Sequence, residues 1–243
     1  MHNIKLTIEY DGTAYVGWQF QPNGLAVQQV MEESLARLLG ERVSLHSSGR
    51  TDAGVHAQGM IACFRTERVL PMTAYTDGIN CILPNDVAVI AAEEVALDFN
   101  PRHDAKGKHY RYTIHSAPLR SPLSRFYAWH LREKLDLELM RDGAALFVGE
   151  NDFSAFRTSG CAAKTTIRRI DSVMISTYGD LIHIDVVGSG FLRNMVRIMA
   201  GTLVEIGKGK MLPEHICRCF TVPGAKPGPT APPQGLCLVE VFC

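Results

Sequence analysis

The sequence predicts an α+β chain with antiparallel sheets, divided into two halves. Two observations support this fold class. Short segments with alternating apolar residues recur along the chain and adjoin turn signals, and each half also carries isolated amphipathic helices. The 243 residues are 46% hydrophobic, which is enough for one large core or two small ones. The chain shows no fixed period of the kind that solenoid proteins have.

The first half opens with an alternating strand at Ile4–Tyr10 and an amphipathic helix at Val27–Leu39. Gly40 follows the last apolar residue of that helix and is expected to end it, because glycine readily adopts the left-handed conformation of a helix C-cap. The remaining predicted elements of this half are a strand at 43–46, a strand at 60–64, a short helix at 75–82 and a strand at 87–90.

A polar, cationic stretch, FNPRHDAKGKHYRYTIHS, leads from the first half into a strand at 110–114. We place the domain boundary here, which gives domains 1–104 and 105–243. The remaining elements of the second half are a helix at 137–148, a hairpin of strands at 170–175 and 181–187, a helix at 192–206, a shorter helix after Pro213 and a closing strand at 236–242.

The charge balance differs between the halves although the net charge is zero. Residues 1–100 hold 6 Lys and Arg against 12 Asp and Glu, whereas residues 101–243 hold 19 against 13. A chain polarised in this way is suited to bind a polyanion on one side, although ordinary surface solvation would produce a similar asymmetry.

Cysteine usage and hydropathy bear on the compartment. The seven cysteines lack C-x-x-C pairs and are odd in number, which is typical of reduced thiols in a cytoplasmic protein. No apolar run approaches the ~18 residues of a spanning helix, so we expect no membrane association. Ligand spacing for a metal is absent, and we expect no metal site.

The stretch GRTDAGVHA places Asp52 among small residues. Glycine and alanine neighbours permit a sharp turn or a close approach to a ligand. A tight turn in which Asp52 caps the following segment explains the pattern equally well. A lone carboxylate without a metal can also act as a base or a nucleophile. The sequence shows no serine nucleophile elbow, P-loop or dinucleotide-binding glycine motif.

Motifs along essentially the whole chain resemble those of the TruA-type tRNA pseudouridine synthases. GRTDAGVHA is similar to the signature of that family, and the other similar segments follow in family order. They are EYDGTAYVGWQFQPNGLAVQQVMEESL, INCILPNDVAV, KHYRYTI, GENDFSAF, GFLRNMVRIMAGTLVEIGKG and TAPPQGLCLVEV.

The resemblance implies isomerisation of uridine to pseudouridine in the anticodon stem-loop of tRNA, at positions 38, 39 and 40. It implies a reaction without a metal and without a cofactor, a nucleotide cofactor included. Asp52 matches the family's catalytic aspartate, Tyr110 its active-site tyrosine and Arg197 the arginine paired with the aspartate. Whether the aspartate attacks C1′ of ribose or C6 of the base, or acts as a base through a glycal-like intermediate, is left open by the resemblance.

The resemblance also assigns binding roles. Tyr110 is expected to stack on an extruded base, and Arg50 to fill the space that the flipped uridine leaves. Cations of the second domain and its border are candidates for phosphate contacts. They are Arg102, Lys106, Lys108, Arg111, Arg157, Lys164, Arg168 and Arg169.

The family fold implied is a pair of related α/β domains with antiparallel sheets joined around a central active-site cleft, in a homodimer. Two positions depart from the family pattern: His103 stands where an aromatic residue is common, and His109 where an arginine is frequent. Both bear on local RNA contacts and not on the chemistry.

Two other functions compete with this interpretation. An RNA-binding protein that has kept the fold without catalysis is disfavoured by the intact set of Asp52, Tyr110 and Arg197. A metal-dependent hydrolase that uses Asp52 and His56 is disfavoured by the lack of ligand spacing.

Overall fold

The computed structural model describes residues 1–158 and 165–243. Within them the chain forms two compact units, the first made of Met1–Lys106 with Cys237–Cys243 and the second of Gly107–Leu236. The predicted boundary at 104 and 105 lies beside this division. The C-terminal strand, which the sequence groups with the second domain, belongs to the first unit.

The predicted elements occur in the expected order among the described residues, but the structure adds two short strands that were not predicted, at Trp129–Leu131 and at Gly149–Asp152. The helices and strands are β1 His2–Tyr10, α1 Val27–Leu39, β2 His46–Ser47, β3 His56–Thr66, α2 Asp77–Asn80, β4 Val87–Val95, β5 Gly107–Ser116, β6 Trp129–Leu131, α3 Leu137–Ala145, β7 Gly149–Asp152, β8 Ile167–Tyr178, β9 Leu181–Gly188, α4 Met195–Gly207, α5 His215–Thr221 and β10 Leu236–Phe242.

The sheet of the first unit is built around β1, which pairs antiparallel with β3 on one side and with β4 on the other. β2 also pairs antiparallel with β3. β10 joins β3 in parallel, with Cys237 opposite His56. The start of β3, which includes the last two residues of GRTDAGVHA, is therefore held by a strand from a distant part of the chain.

Burial along β1 and α1 follows the predicted periodicities. Ile4, Leu6, Ile8 and Tyr10 of β1 are buried, as expected for every second residue of a half-buried strand. α1 buries one face, and Gly40 ends it in the left-handed conformation with φ +71°. These two predictions are confirmed. The predicted helix at 75–82 is instead a 3₁₀ turn at Met72–Tyr75 followed by α2.

The sheet of the second unit has the order β5-β9-β8-β7, all antiparallel, with β6 parallel to β5. One face of this sheet carries buried apolar and aromatic residues, among them Tyr112, Ile114, Ile184 and Val186. β8 and β9 form the expected hairpin around Gly179, whose φ is +57°. The fold class, α+β with antiparallel sheets, is confirmed.

α4 is the central helix of the second unit, since nearly every residue from Met195 to Gly207 is buried. It packs closely on α3: a Cβ added at Gly207 would lie 2.8 Å from Met140 Sδ. The helix begins at Met195 and not at Leu192 as the periodicity predicts. In the described part of the chain, no helix is long and apolar enough to cross a membrane.

Candidate functional site

The GRTDAGVHA loop is held by backbone contacts to the segment after β1. Gly17 and Asp52 form an isolated antiparallel β-bridge. The Trp18 N–H donates to the Thr51 carbonyl at 3.1 Å, directly beside that bridge. The backbone at Asp52 is thereby fixed, while its side chain is half-buried and accessible.

Two glycines of the GWQ and YDGT motifs make this docking possible. Gly17 has φ +110°, and a Cβ there would lie 2.7 Å from the Thr51 oxygen. A Cβ at Gly12 would lie 2.0 Å from the Val55 oxygen. Real side chains do not tolerate such distances, so the loop can approach only because both positions are glycine.

Side chains of the YDGT motif anchor the same loop. The Tyr10 hydroxyl and Thr51 Oγ1 lie 2.7 Å apart in a buried hydrogen bond. The Gly12 N–H donates to Nδ1 of the buried His56 at 3.0 Å. Asp11 Oδ1 lies 3.1 Å from the same nitrogen. His56 thus has a structural use next to Asp52, which weighs against a role in hydrolysis.

The ILPND segment supports the YDGT motif in turn. The Tyr15 hydroxyl donates to Asp86 Oδ1 at 2.7 Å, and the Asp11 N–H donates to the Asp86 carbonyl at 2.9 Å. Burial and the hydrogen bond to Asp86 raise the pKa of Tyr15 above its ordinary range. Tyr15 therefore stays a neutral donor at physiological pH. The motifs of the first unit form one connected network that presents Asp52.

Arg50 is exposed, two positions before Asp52. The structure thus places Arg50 and Asp52 on one loop, with the cation towards solvent. This exposure suits a side chain that contacts RNA. Whether Arg50 fills the space left by the flipped uridine stays a prediction.

Tyr110 lies in β5 of the second unit, paired with Val186 of β9. It is only 8% exposed. Its ring meets the Phe191 ring edge to face, with centroids 5.0 Å apart, a geometry that aromatic pairs favour. Phe191 lies four residues before the first residue of α4, so it links Tyr110 to the segment that leads into the helix carrying Arg197.

Arg197 lies in the first turns of α4, and two acceptors hold its guanidinium. Nε donates to the Ala231 carbonyl at 2.7 Å, and Nη1 donates to Asn194 Oδ1 at 2.7 Å. The Ala231 N–H donates back to the Arg197 carbonyl at 3.1 Å. Burial raises the pKa of the neighbouring Tyr112 above its ordinary range, and the charge of Arg197 opposes that rise.

The loop that supplies Ala231 packs against α4 through glycine contacts. A Cβ at Gly201 would lie 1.8 Å from the Pro229 oxygen. The Gly228 N–H donates to Thr202 Oγ1 at 3.0 Å. Sequence reasoning missed Asn194 and the Ala231 carbonyl as partners of Arg197. The Pro/Gly-rich stretch marks a loop, but no pattern within it indicates which helix the loop contacts.

The cations predicted to bind phosphate differ in their surroundings. Arg111 pairs with Asp185 through two nitrogens, at 2.9 and 3.3 Å. Arg169 pairs with Asp171 at 2.9 Å, and Arg168 donates to the backbone of Thr165 and Ile167. These three therefore have partners within the protein, which weighs against a primary role in phosphate binding.

The remaining candidates differ in exposure. Arg102, Lys106 and Arg157 are exposed, and Lys108 is half-buried in β5. Lys164 lies outside the described residues. All eight positions stay predictions as RNA contacts.

The two positions that depart from the family pattern also differ. His109 Nε2 lies 2.6 Å from Asp185 Oδ1, beside Arg111, so Asp185 holds both side chains. His103 is exposed. Among the described residues, no group of three His, Cys, Asp or Glu side chains is arranged to hold a metal ion.

Comparison with known proteins identifies the family. A family model described as tRNA pseudouridine synthase matches residues 6–104 and 144–242, which lie in both units. Proteins named tRNA pseudouridine synthase A are 60% identical over 242 residues in Geobacter sulfurreducens and 60% identical over 249 residues in Geotalea uraniireducens, covering 99% and 100% of both chains respectively. A protein of the same name from Myxococcus xanthus is 53% identical and covers 100% of this chain and 92% of its own.

These matches define the protein as an isomerase that acts on RNA, because pseudouridine and uridine have the same composition. The chain belongs to the tRNA pseudouridine synthase family. The resemblance noted from the motifs is thereby confirmed, as is tRNA as the substrate of the family. The cleft expected between the domains, the roles of single residues and the homodimer stay predictions.

Proposed function

We propose that this protein converts uridine to pseudouridine in the anticodon stem-loop of tRNA, at positions 38, 39 and 40, with Asp52 as the essential carboxylate. In this reaction the bond between ribose C1′ and base N1 breaks, the base turns, and C1′ bonds to C5. The proton leaves C5 and N1 gains one, so no oxidant, reductant or second substrate is consumed.

The observation that carries the proposal is the anchoring of the Asp52 loop. Backbone hydrogen bonds, two close glycine contacts and the pair of Tyr10 with Thr51 hold the loop, yet the Asp52 side chain is only half-buried. Catalytic carboxylates need this combination of a fixed backbone and an accessible side chain. A residue that merely caps a turn needs no such framework.

Tyr110 and Arg197 complete the proposed set. The Tyr110 ring is held edge to face by Phe191, and one face of such a ring can stack on an extruded base. Arg197 would keep the carboxylate ionised when substrate excludes water, since a neighbouring cation opposes the pKa rise caused by desolvation. Arg50, exposed on the Asp52 loop, would contact the RNA from which the base is extruded.

The test is the release of tritium from tRNA labelled at uridine C5, measured for Asp52→Asn and Asp52→Ala. We expect turnover to fall by on the order of 10⁴-fold, while tRNA affinity changes little. Asp98→Asn, which removes an exposed carboxylate of the same unit, serves as the matched control and should release tritium normally. Normal release by Asp52→Ala would refute the assignment of Asp52.

Substrate position is tested separately, with tRNA transcripts in which the uridines at 38, 39 and 40 are replaced by cytidine. We expect tritium release from the remaining uridines to be absent. Release from a transcript lacking all three would place the target elsewhere in tRNA. Tight tRNA binding without any release would favour a binding protein, and loss of activity with a chelator that added metal restores would favour a hydrolase.

The proposal includes a homodimer in the cytoplasm, where tRNA is modified. Sedimentation velocity at several protein concentrations measures the oligomeric state, and a species of the monomer mass alone, 26.8 kDa, would contradict the dimer.

A further inference from the structure

Asn194 has an unusual backbone conformation for its residue type. Its φ of 61° and ψ of 6° lie in the left-handed region, and it is the one non-glycine residue with positive φ among residues 1–158 and 165–243. Asparagine enters this region more readily than most residues, but the conformation is still costly. Such strain persists only where the surrounding structure enforces it, and it is common at functional sites.

Asn194 stands at the N-cap of α4, yet its side chain makes no capping hydrogen bond. An asparagine at this position ordinarily accepts a bond from an N–H of the first helical turn. Here the amide instead joins two other side chains. Oδ1 accepts from Arg197 Nη1 at 2.7 Å, and Nδ2 donates to Thr158 Oγ1 at 3.0 Å.

The chemistry of the partners fixes the orientation of this amide. A guanidinium is a donor only, so the oxygen of Asn194 must face Arg197. The NH₂ group must then face Thr158, whose hydroxyl accepts the bond. The Thr158 N–H also donates to the Arg193 carbonyl at 3.4 Å, which ties Thr158 to the same turn. The acceptor of Arg197 is therefore itself held in place.

Asn194 and Ala231 hold different nitrogens of the same guanidinium, Nη1 and Nε. Two fixed acceptors at different nitrogens define both the position and the plane of the group.

We propose that Asn194 is a positioning residue for Arg197, and that its left-handed conformation is retained because it aims the amide oxygen at the guanidinium. This inference rests on the function proposed above for Arg197. Asn194 does not act on the substrate. It acts by keeping the Arg197 charge in the orientation that turnover requires.

Three variants separate this role from a structural one. Asn194→Gly keeps the backbone conformation, relieves its strain and removes both amide contacts. Asn194→Asp keeps an oxygen towards Arg197 and can accept from the Thr158 hydroxyl. Thr158→Val removes only the anchor of the amide.

We expect Asn194→Gly to fold with little change in melting temperature, because relief of the φ strain offsets the lost hydrogen bonds and the larger entropy of the unfolded chain. It should lose on the order of tenfold to a hundredfold in kcat, as small misplacements of catalytic groups do. KM for tRNA should change by less than about threefold. A misplaced group weakens stabilisation of the transition state and leaves the binding of tRNA itself nearly unchanged. Asn194→Asp should retain kcat within about threefold of the unmodified protein. The kcat of Thr158→Val should lie between those of Asn194→Gly and Asn194→Asp.

The decisive comparison repeats Asn194→Gly in an Arg197→Ala background. If Asn194 acts through Arg197, the second change causes no further loss of kcat. Equal losses in both backgrounds would overturn the inference, and so would normal kcat in a folded Asn194→Gly protein. If Arg197→Ala itself turns over normally, the proposed role of Arg197 fails and the positioning role fails with it. A loss in Asn194→Gly alone would then belong to another mechanism.

Discussion

Gly17 and Asp52 pair in an isolated antiparallel bridge, with Gly17 at φ +110°. The bridge joins the GWQ motif to the GRTDAGVHA loop, so a glycine distant in sequence sets the backbone at the proposed catalytic carboxylate. A Cβ at Gly17 would lie 2.7 Å from the Thr51 oxygen, and the contact therefore requires glycine. The two motifs are one structural unit that the chain assembles from separate segments.

Gly17→Ala should weaken both the stability of the first unit and turnover. The strain of a positive φ costs about 1–2 kcal/mol, and the clash with Thr51 adds about 1–3 kcal/mol. Gly40→Ala is the matched control, because Gly40 has φ +71° and its added Cβ would meet nothing nearer than Arg68 at 3.7 Å. Urea unfolding and tritium release measure the two effects. Equal destabilisation by both variants, with normal turnover in each, would contradict the role of the bridge.

Gly201→Ala should displace the loop that carries Ala231. The added Cβ would lie 1.8 Å from the Pro229 oxygen, so the loop must move away from α4. We expect a loss of about 1–3 kcal/mol in the free energy of unfolding and a lower kcat, since the Ala231 carbonyl binds Arg197. Gly190→Ala, with its nearest neighbour at 3.8 Å, should have little effect. Normal kcat in a destabilised Gly201→Ala protein would show that the loop supports only folding.

Arg102 and Arg111 should respond differently to removal of their charge. Arg102 is exposed, so Arg102→Gln should weaken tRNA binding and reduce the salt dependence of affinity by about one unit of log–log slope. Arg111 is bound to Asp185, so Arg111→Gln should chiefly affect stability. Binding titrations at several salt concentrations, with thermal unfolding in parallel, measure both. If Arg102→Gln changed chiefly stability and Arg111→Gln chiefly weakened tRNA binding, Arg111 and not Arg102 would be the phosphate contact.

His183 should make stability depend on pH. Burial, and then the charge of Arg111, hold its pKa below the ordinary value of 6.5, although Asp185 opposes them. The unfolded state then binds a proton more readily than the folded state, so the stability that His183 contributes is present above about pH 6.5 and is lost as pH falls towards the folded pKa.

The pH effect is measured as the difference in free energy of unfolding between the unmodified protein and His183→Gln. From about pH 7.5 to about pH 5, the unmodified protein should lose stability relative to the variant. A difference that stays constant, or that grows in favour of the unmodified protein as pH falls, would contradict the lowered pKa.

Elements set by local chemistry were predictable from the sequence. The helix Val27–Leu39 and its end at Gly40 follow from apolar spacing and from the one residue type suited to a left-handed cap. The hairpin at Gly179 follows likewise from alternation and turn chemistry. The family could be recognised because its motifs stand in order along the chain.

The start of α4 could not be predicted from local spacing. Its apolar pattern extends back to Leu192, but the helix begins at Met195 because Asn194 adopts a left-handed conformation. The reason for that conformation lies in Arg197 and Thr158, which Asn194 contacts through its side chain. Nothing in the residues around Asn194 signals it.

The sequence by itself determined the identity of the chemical groups, the fold class and most of the elements, because these depend on residue type and on local periodicity. Only the tertiary structure decided how those groups are held: Asp52 by Gly17 and Thr51, and Arg197 by Asn194 and Ala231. Such contacts join segments far apart in the chain. They depend on close packing and backbone geometry, which no local pattern of residues encodes.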